Sequence, residues 1–357
     1  MERKLATIRT IERLEEIDGA DKIELAIVDG WQVVVKKGVH TVGEQVVYLE
    51  IDSWVPHTLA PFLTKESDYP KIYLNVDGQR LKTIKLRGQI SQGLILSLDD
   101  ANVYQESPEV FKFTKADGTT EILSIDADLT ELLGILKYEK LSPEVMSGKS
   151  RGNFPSCGRK TDQERCQNMK KYITHAIDND EMFEISIKMD GSSFSILKDL
   201  ADEVHVCSRN LSKKIENEGD AFVNVARKYD LITKVQDYET LIQISGELCG
   251  PSIQGNKDAL TENDLFVFDI FDVKAGKYMS PDDRMKIVNE FGLKHVPILH
   301  AKVTLKEIGI NSIEDMIKFA NGAGYNSKIR EGVVFKSHDR DFSFKAISND
   351  FLLKYGE

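Results

Sequence analysis

Apolar and polar residues alternate in short runs over the first hundred positions. Ile23–Val28, Trp31–Val35, Gln45–Leu49, Leu81–Leu86 and Gly93–Leu98 each read as a strand, with Gly30, Gly38, Gly43, Gly78 and Gly88 as punctuation. Strands of this length and spacing predict a small barrel or sandwich, an OB-like barrel being one candidate. The pattern predicts a helix over Asp126–Lys137. Leu141–Lys160 changes character, because Pro143, Gly148, Gly152, Pro155 and Gly158 sit among serines, lysines and arginines. That composition predicts a linker and a domain boundary near residue 150, giving domains over 1–150 and 151–357.

After the boundary, strands are expected at Met182–Met189, Ser193–Leu197, Val204–Ser208, Leu241–Leu248, Leu265–Val273, Glu331–Lys336 and Phe342–Ile347. Helices are expected at Asp220–Asp230, Pro281–Phe291 and Ile313–Asn321. The second has Ser280 as N-cap, Pro281 in its first turn and Gly292 just past its end. Strands and helices do not alternate strictly, so the fold class is α+β rather than doubly wound.

Composition narrows the function classes. The chain has 357 residues, and its 47 basic against 58 acidic residues give a net charge of −11, so it is not a basic nucleic-acid coat. Any contact with nucleic acid must come from local patches. No stretch is apolar for long enough to form a membrane helix, and Met1–Thr10 lacks a signal-peptide core, so a soluble, intracellular protein without membrane association is expected. Cys157, Cys166, Cys207 and Cys249 form no C-x-x-C pair and read as free thiols, and the seven histidines form no metal-binding motif. Trp31 and Trp54 could stack bases, but burial in a small barrel core is the expected role for both.

Gly148-Lys149-Ser150 mimics the end of a P-loop, but Pro143 stands where the loop needs glycine, so linker is the better reading. Lys188-Met189-Asp190-Gly191 is the sharpest local signal. It ends a strand in which Phe183, Ile185, Ile187 and Met189 take one face and Glu184, Ser186, Lys188 and Asp190 the other. A lysine so placed can act as a nucleophile, although this tetrapeptide alone is a common turn. Gln243, Ser245 and Glu247 also share one strand face, a polar face that suits a ligand-lined strand. Leu265–Val273 is nearly all apolar and reads as central, and two further strands put Glu331, Lys336 and Lys345 near their ends.

In this order the segments resemble the covalent nucleotidyltransferase superfamily of polynucleotide ligases and capping enzymes. Lys188-Met189-Asp190-Gly191 fits motif I, Ser208-Arg209-Asn210 motif Ia, and Gly246-Glu247-Leu248 motif III. Phe268-Asp269-Ile270 fits motif IIIa, Glu331-Gly332-Val333-Val334 motif IV, and Lys345 falls in motif V. The run from Gly246 through Gly250-Pro251-Ser252-Ile253-Gln254 is similar to RNA ligase 2 and its relatives, as is the Glu331–Lys336 block. Phe154-Pro155, Lys160-Thr161-Asp162, Arg165 and Gln167-Asn168 resemble the approach to motif I in an RNA ligase branch with an N-terminal OB module. Lys85-Leu86-Arg87-Gly88 and Ser91-Gln92-Gly93 agree with that branch. One departure is Ser343, where such ligases often carry the first of two motif V lysines.

The resemblance implies an N-terminal OB-like β-barrel followed by a ligase domain of antiparallel sheets plus helices, ATP-grasp-like in character. It implies an ATP-dependent RNA ligase that joins a 3′-OH to a 5′-phosphate, with ATP as AMP donor and Mg²⁺ or Mn²⁺ as cofactor. The alternatives are a DNA ligase, a GTP-using capping-type enzyme, or a non-catalytic nucleic-acid-binding OB protein. Lys188 is the implied nucleophile, with Lys345 and Lys336 on the phosphate. Asp190, Glu247 and Glu331 are the implied metal ligands; the cation and Lys345 would lower the pKa of Lys188. Ile187, Asp190, Arg209, Glu247, Phe268 and Glu331 are the implied nucleotide contacts, Phe268 stacking on adenine, with Lys160 and Arg165 assigned to the ATP phosphates. The expected partner is RNA, including a nicked duplex, and a monomer is expected.

Overall fold

The computed structural model describes residues 3–356 except 66, 116 and 140–149, so Gly148-Lys149 and the first part of the expected linker lie outside the described residues. The chain divides into two compact units, Met1–Lys140 with Leu352–Glu357, and Leu141–Phe351.

The first unit is built from short antiparallel sheets. Gln45–Leu49 pairs with both Ala6–Thr10 and Leu94–Leu96. Arg13–Glu16, Ile23–Val28 and Trp31–Lys36 form a meander. Its tight turn is Asp29-Gly30, both at positive φ (49° and 85°), the backbone that joins Val28 directly to Trp31. Trp31 and Trp54 are both in the core, Trp31 5.7 Å from Tyr48 and Trp54 5.3 Å from Tyr73, so neither stacks a base. The helix expected over Asp126–Lys137 is absent. Asp126 takes a left-handed backbone at 64°, and Asp128 accepts from the Thr130 amide and hydroxyl. A single turn follows and ends at Gly134, also left-handed, before Leu136–Lys137 pairs with Trp54 and Ser53. Leu129 and Ile135 are buried, so the apolar residues that suggested a helix serve the barrel core from a turn.

The second unit is two antiparallel-dominated sheets, each covered by helices on one face. The larger sheet runs Ser150–Asn153, Leu211–Lys213, Val204–Cys207, Ser192–Lys198, Ile242–Cys249, Asp264–Asp272, Lys277–Tyr278, with Lys294–His295 parallel beside Asp264–Asp272. The smaller runs Glu164–Arg165, Ser343–Ile347, Gly332–Ser337, Met182–Lys188, Ile298–Thr304. Helices Ala221–Lys228, Leu231–Asp237 and Pro281–Glu290 bury Phe222, Val235 and Ile287 against Ile196, Ile244 and Val267 of the larger sheet. Lys170–Asp178 and Ile313–Ala320 bury Ile173 and Met316 against Ile185, Phe335 and Phe344 of the smaller. Asp220, Ser280 and Ser312 cap three of these helices through their side-chain oxygens, and Gly292 at φ 67° follows the second.

The sheets' remaining faces meet, with buried polar side chains beside an apolar cluster of Ile187, Met189, Cys249, Phe266 and Val296. Lys336 of the smaller sheet donates to the Phe268 carbonyl and to Asp269 of the larger. Beside it, Arg284 donates to Glu184, and both side chains are buried. Removing one member of a buried pair costs ~3–5 kcal/mol, because the other stays buried as a charge. Arg284→Met is therefore expected to lower the urea midpoint sharply, whereas Lys286→Ala, which breaks the exposed pair with Asp283, leaves it in place. Equal midpoints for the two variants contradict this view of the interior.

Candidate active site

Strand alternation and register place the charged residues. Met182–Lys188 pairs with Gly332–Ser337 so that Lys188 faces Gly332, Ser186 faces Val334 and Glu184 faces Lys336. Ser343–Ile347 continues the sheet, with Lys345 opposite Val334 and Ser343 opposite Lys336. Paired residues share a face, so Lys188, Lys336 and Lys345 all lie on the face turned toward the larger sheet. Arg165 pairs with Lys345 on the far side. In the larger sheet, Glu247 lies opposite Ser193.

Lys188 Nζ donates to Glu331 Oε2 at 2.6 Å. Burial pulls this ammonium down, but Glu331, Glu247 and Asp190 together outweigh burial and hold Lys188 above the ordinary lysine range. The expected lowering was tied to a cation and Lys345; the protein's own nearest charges are carboxylates, which act the other way. Glu247 is pushed up to about 8 by burial and by the like charges of Glu331 and Asp190, against the pull of Lys188. Asp190 is pushed up to about 6 by burial and Glu331, against Lys257. Lys257 Nζ lies 2.8 Å from Asp190 Oδ2 and 4.4 Å over the Phe351 ring. Sequence reasoning missed Lys257. Its one signal was a lysine in the loop directly after Gly246-Glu247-Leu248.

The other expected site residues separate into groups. Phe268 is partly buried, packs on the cluster of Ile187, Met189 and Phe266, and lies 5.6 Å from the Lys336 ammonium. Burial draws Lys336 below the ordinary lysine range, against the pull of Asp269, which lies 2.6 Å away. By register, Lys336 stands across from Ser343, the first of the two motif V positions. Arg209 pairs with Asp162 at 2.6 Å, and Lys160 donates to Asn210 at 3.0 Å. Asp190, Glu247 and Glu331 surround an ammonium rather than forming a ready cage. Among the described residues, the one trio of ligand atoms gathered closely enough to hold an ion is Asp199, Glu203 and His205, none of them an expected ligand.

A family model for RNA ligases matches residues 181–355, and one for an OB-fold domain matches residues 5–98. The fold is similar to solved structures of Naegleria gruberi RNA ligase. A variant in its apo form has a TM-score of 0.84 and 37% identity, covering 99% of this chain and 98% of that one. The ligase with PPi has 0.84 and 36%, covering 99% of each. A variant with ATP and Mn has 0.83 and 37%, covering 98% of each. The chain belongs to the RNA ligase family. No curated protein sequence matches it.

In this ligase the two sheets with their helices are the α+β frame expected from the sequence, with an OB-fold domain before them. All four cysteines are free thiols among the described residues, and no described helix is long and apolar enough to cross a membrane.

The crowded carboxylates predict a pH dependence of stability. Glu247 goes from 4.5 to about 8 on folding and Asp190 from 3.8 to about 6. Between those values the folded ligase holds protons that the unfolded chain has released, so stability falls as pH rises through that window. The raised Lys188 contributes only above the ordinary lysine range. Urea denaturation in chelator-treated buffer is expected to show lower stability at pH 8 than at pH 5, with a smaller difference in Glu247→Gln. The same difference in both proteins contradicts the assignment.

Proposed function

We propose that this protein is an ATP-dependent RNA ligase that joins RNA 3′-OH and 5′-phosphate ends. The observation that carries the reading is Lys188 at a strand end, hydrogen-bonded to Glu331 and ringed by Glu247 and Asp190, with Lys336 and Lys345 on the same face. The Naegleria relative was solved with ATP and Mn and with AMP and Mn, which supports ATP as the AMP donor here.

Lys188 Nζ gives up a proton to solvent and attacks the α-phosphate of ATP. A P–N bond forms, the bond to pyrophosphate breaks, and lysyl-AMP results. An RNA 5′-phosphate oxygen then takes the AMP and releases the lysine. Finally, an RNA 3′-OH attacks that 5′-phosphate and AMP leaves. Glu331 accepts a hydrogen bond from the Lys188 ammonium until attack, and the ion pair aims the nitrogen. Lys345, with Lys336 in the register position facing Ser343, offsets charge on the α-phosphate. Phe268 offers its ring to adenine. Lys160 and Arg165 take the outer phosphates, and Arg209 lies on the ribose side.

Asp190, Glu247 and Glu331 fit a hard divalent cation, because all three are oxygen donors gathered about one ammonium, and a cation's charge would favour their ionised forms. When bound, Mg²⁺ or Mn²⁺ supplies charge neutralisation for these carboxylates and the phosphate, which favours the unprotonated lysine.

The N-terminal unit is proposed to engage RNA, acting with the second unit in one monomeric chain on free ends or a nicked duplex. Thr83–Leu86 and Gln89–Gln92 form a hairpin closed by Arg87 and Gly88 at φ 47° and 86°, and Lys82, Lys85 and Arg87 are exposed on it.

Two experiments follow. Label from α-labelled ATP is expected to attach covalently to the protein and to vanish in Lys188→Ala. Undiminished labelling of the variant contradicts the nucleophile, and labelling by GTP alone redirects the reading to capping chemistry. Replacing Lys82, Lys85 and Arg87 by alanine is expected to weaken sealing while sparing lysyl-AMP formation. The salt slope of RNA binding should fall by about 0.7 per lost phosphate contact on a single strand. An unchanged slope places the RNA elsewhere.

A further inference from the structure

Gln243 shares its strand face with Ser245 and Glu247, and the sequence suggested a ligand for that polar face. In the structure the face is occupied by the protein's own main chain. Gln243 is 1% exposed. Its Oε1 accepts from the Arg159 amide at 2.8 Å, and its Nε2 donates to the Arg159 carbonyl at 2.7 Å and to Ser245 Oγ at 2.8 Å. The two bonds to Arg159 imitate a strand pair and fix which end of the amide is oxygen. The approach needs a glycine next door: a Cβ on Gly158 would come within 2.8 Å of Gln243 Oε1 and of the Phe154 ring.

Arg159 lies just before the residues assigned to the ATP phosphates, in a segment bound at several points. The Phe154 amide donates to the Asn210 carbonyl at 2.9 Å, and the Arg159 guanidinium lies 5.6 Å from the Phe271 ring. Thr161 and Ser193 share a hydroxyl bond at 2.9 Å, and Ser193 is the residue opposite Glu247. Lys160 reaches Asn210, and Asp162 reaches Arg209. Of these anchors, Gln243 is the one whose side chain is buried and grips the segment by both the amide and the carbonyl of one residue.

The geometry points to Gln243 as a positioning residue that fixes the 154–162 segment on the larger sheet, so that Lys160 and its neighbours meet the ATP triphosphate. The inference rests on the ATP-dependent reading above, and it is specific to one step. Only lysyl-AMP formation uses the triphosphate; sealing of RNA that already carries a 5′-adenylate does not. A loosened segment raises the ATP requirement and leaves the later step intact. A general loss of folding affects both.

The test compares the two steps in the full-length protein. Gln243→Met removes both hydrogen bonds to Arg159, and the one to Ser245, at similar volume, and Gly158→Ala presses on the same contact from the other side. Gln243→Glu keeps the acceptor but sets an oxygen against the Arg159 carbonyl, so it should not restore function. Each variant is expected to raise the apparent KM for ATP in labelling by roughly tenfold, the scale of one lost hydrogen bond. Sealing of preadenylylated RNA to a 3′-OH strand should stay near the unaltered rate. The double variant Gly158→Ala with Gln243→Met should be no worse than the poorer single, because the residues share one contact. Equal loss in both reactions, or no change in either, overturns the proposal. Failure of the ligase reading shows separately, as no label on the unaltered protein, and takes this proposal with it.

Discussion

One ammonium among three carboxylates sets the terms for this site. Lys188 is drawn down by its partial burial and raised by Glu331, Glu247 and Asp190, and the carboxylates prevail. The carboxylates cannot all be satisfied by a single lysine. Asp190 leans on Lys257, Glu331 accepts the Lys188 hydrogen bond, and Glu247 is left with its pKa farther above the ordinary range than that of Asp190. Such an arrangement gathers carboxyl groups about one lysine, and a cation's charge would favour their ionised forms. It also keeps Lys188 protonated, and an ammonium has no free electron pair with which to attack.

The fold makes that concentration of charge tolerable. Each sheet has one face spent on a helix-covered apolar core, so its other face is free to carry polar side chains, and those two faces meet. The close approaches this requires fall on glycines. A Cβ at Gly332, beside Glu331, would lie 2.2 Å from the Ala346 carbonyl, and one at Gly191, after Asp190, would lie 2.3 Å from the Leu248 carbonyl. Glycine at these two points lets the strand ends carrying Lys188 and Glu331 pack against their neighbours without displacing the charged side chains. The buried Glu184–Arg284 pair and the Asp269–Lys336 pair continue the same polar layer away from Lys188.

Much of this was legible in the sequence because strands have a period of two. The alternation from Phe183 to Asp190 showed which face Lys188 takes, and the order of the charged segments pointed to the family. What escaped was whatever depends on distant pairing. The helix read over Asp126–Lys137 failed because Asp128 and Gly134 turn the chain back toward the barrel, a long-range demand that local pattern does not reveal. Lys257 meets Asp190 only through folding. The polar face of Gln243 was visible, but its use on the Arg159 backbone was not. The raised pKa of Lys188 was hidden as well, since Glu331 arrives from 143 residues away.

The central claim is that carboxylates hold Lys188 charged in the resting ligase. Its most direct test is the titration of the Lys188 side chain by NMR of lysine-labelled protein, with the signal assigned by its loss in Lys188→Arg. The account predicts that Lys188 stays protonated beyond the ordinary lysine value of about 10.4, and that Glu331→Gln brings its titration down. A Lys188 that titrates at or below the ordinary value, with no shift in Glu331→Gln, would contradict it.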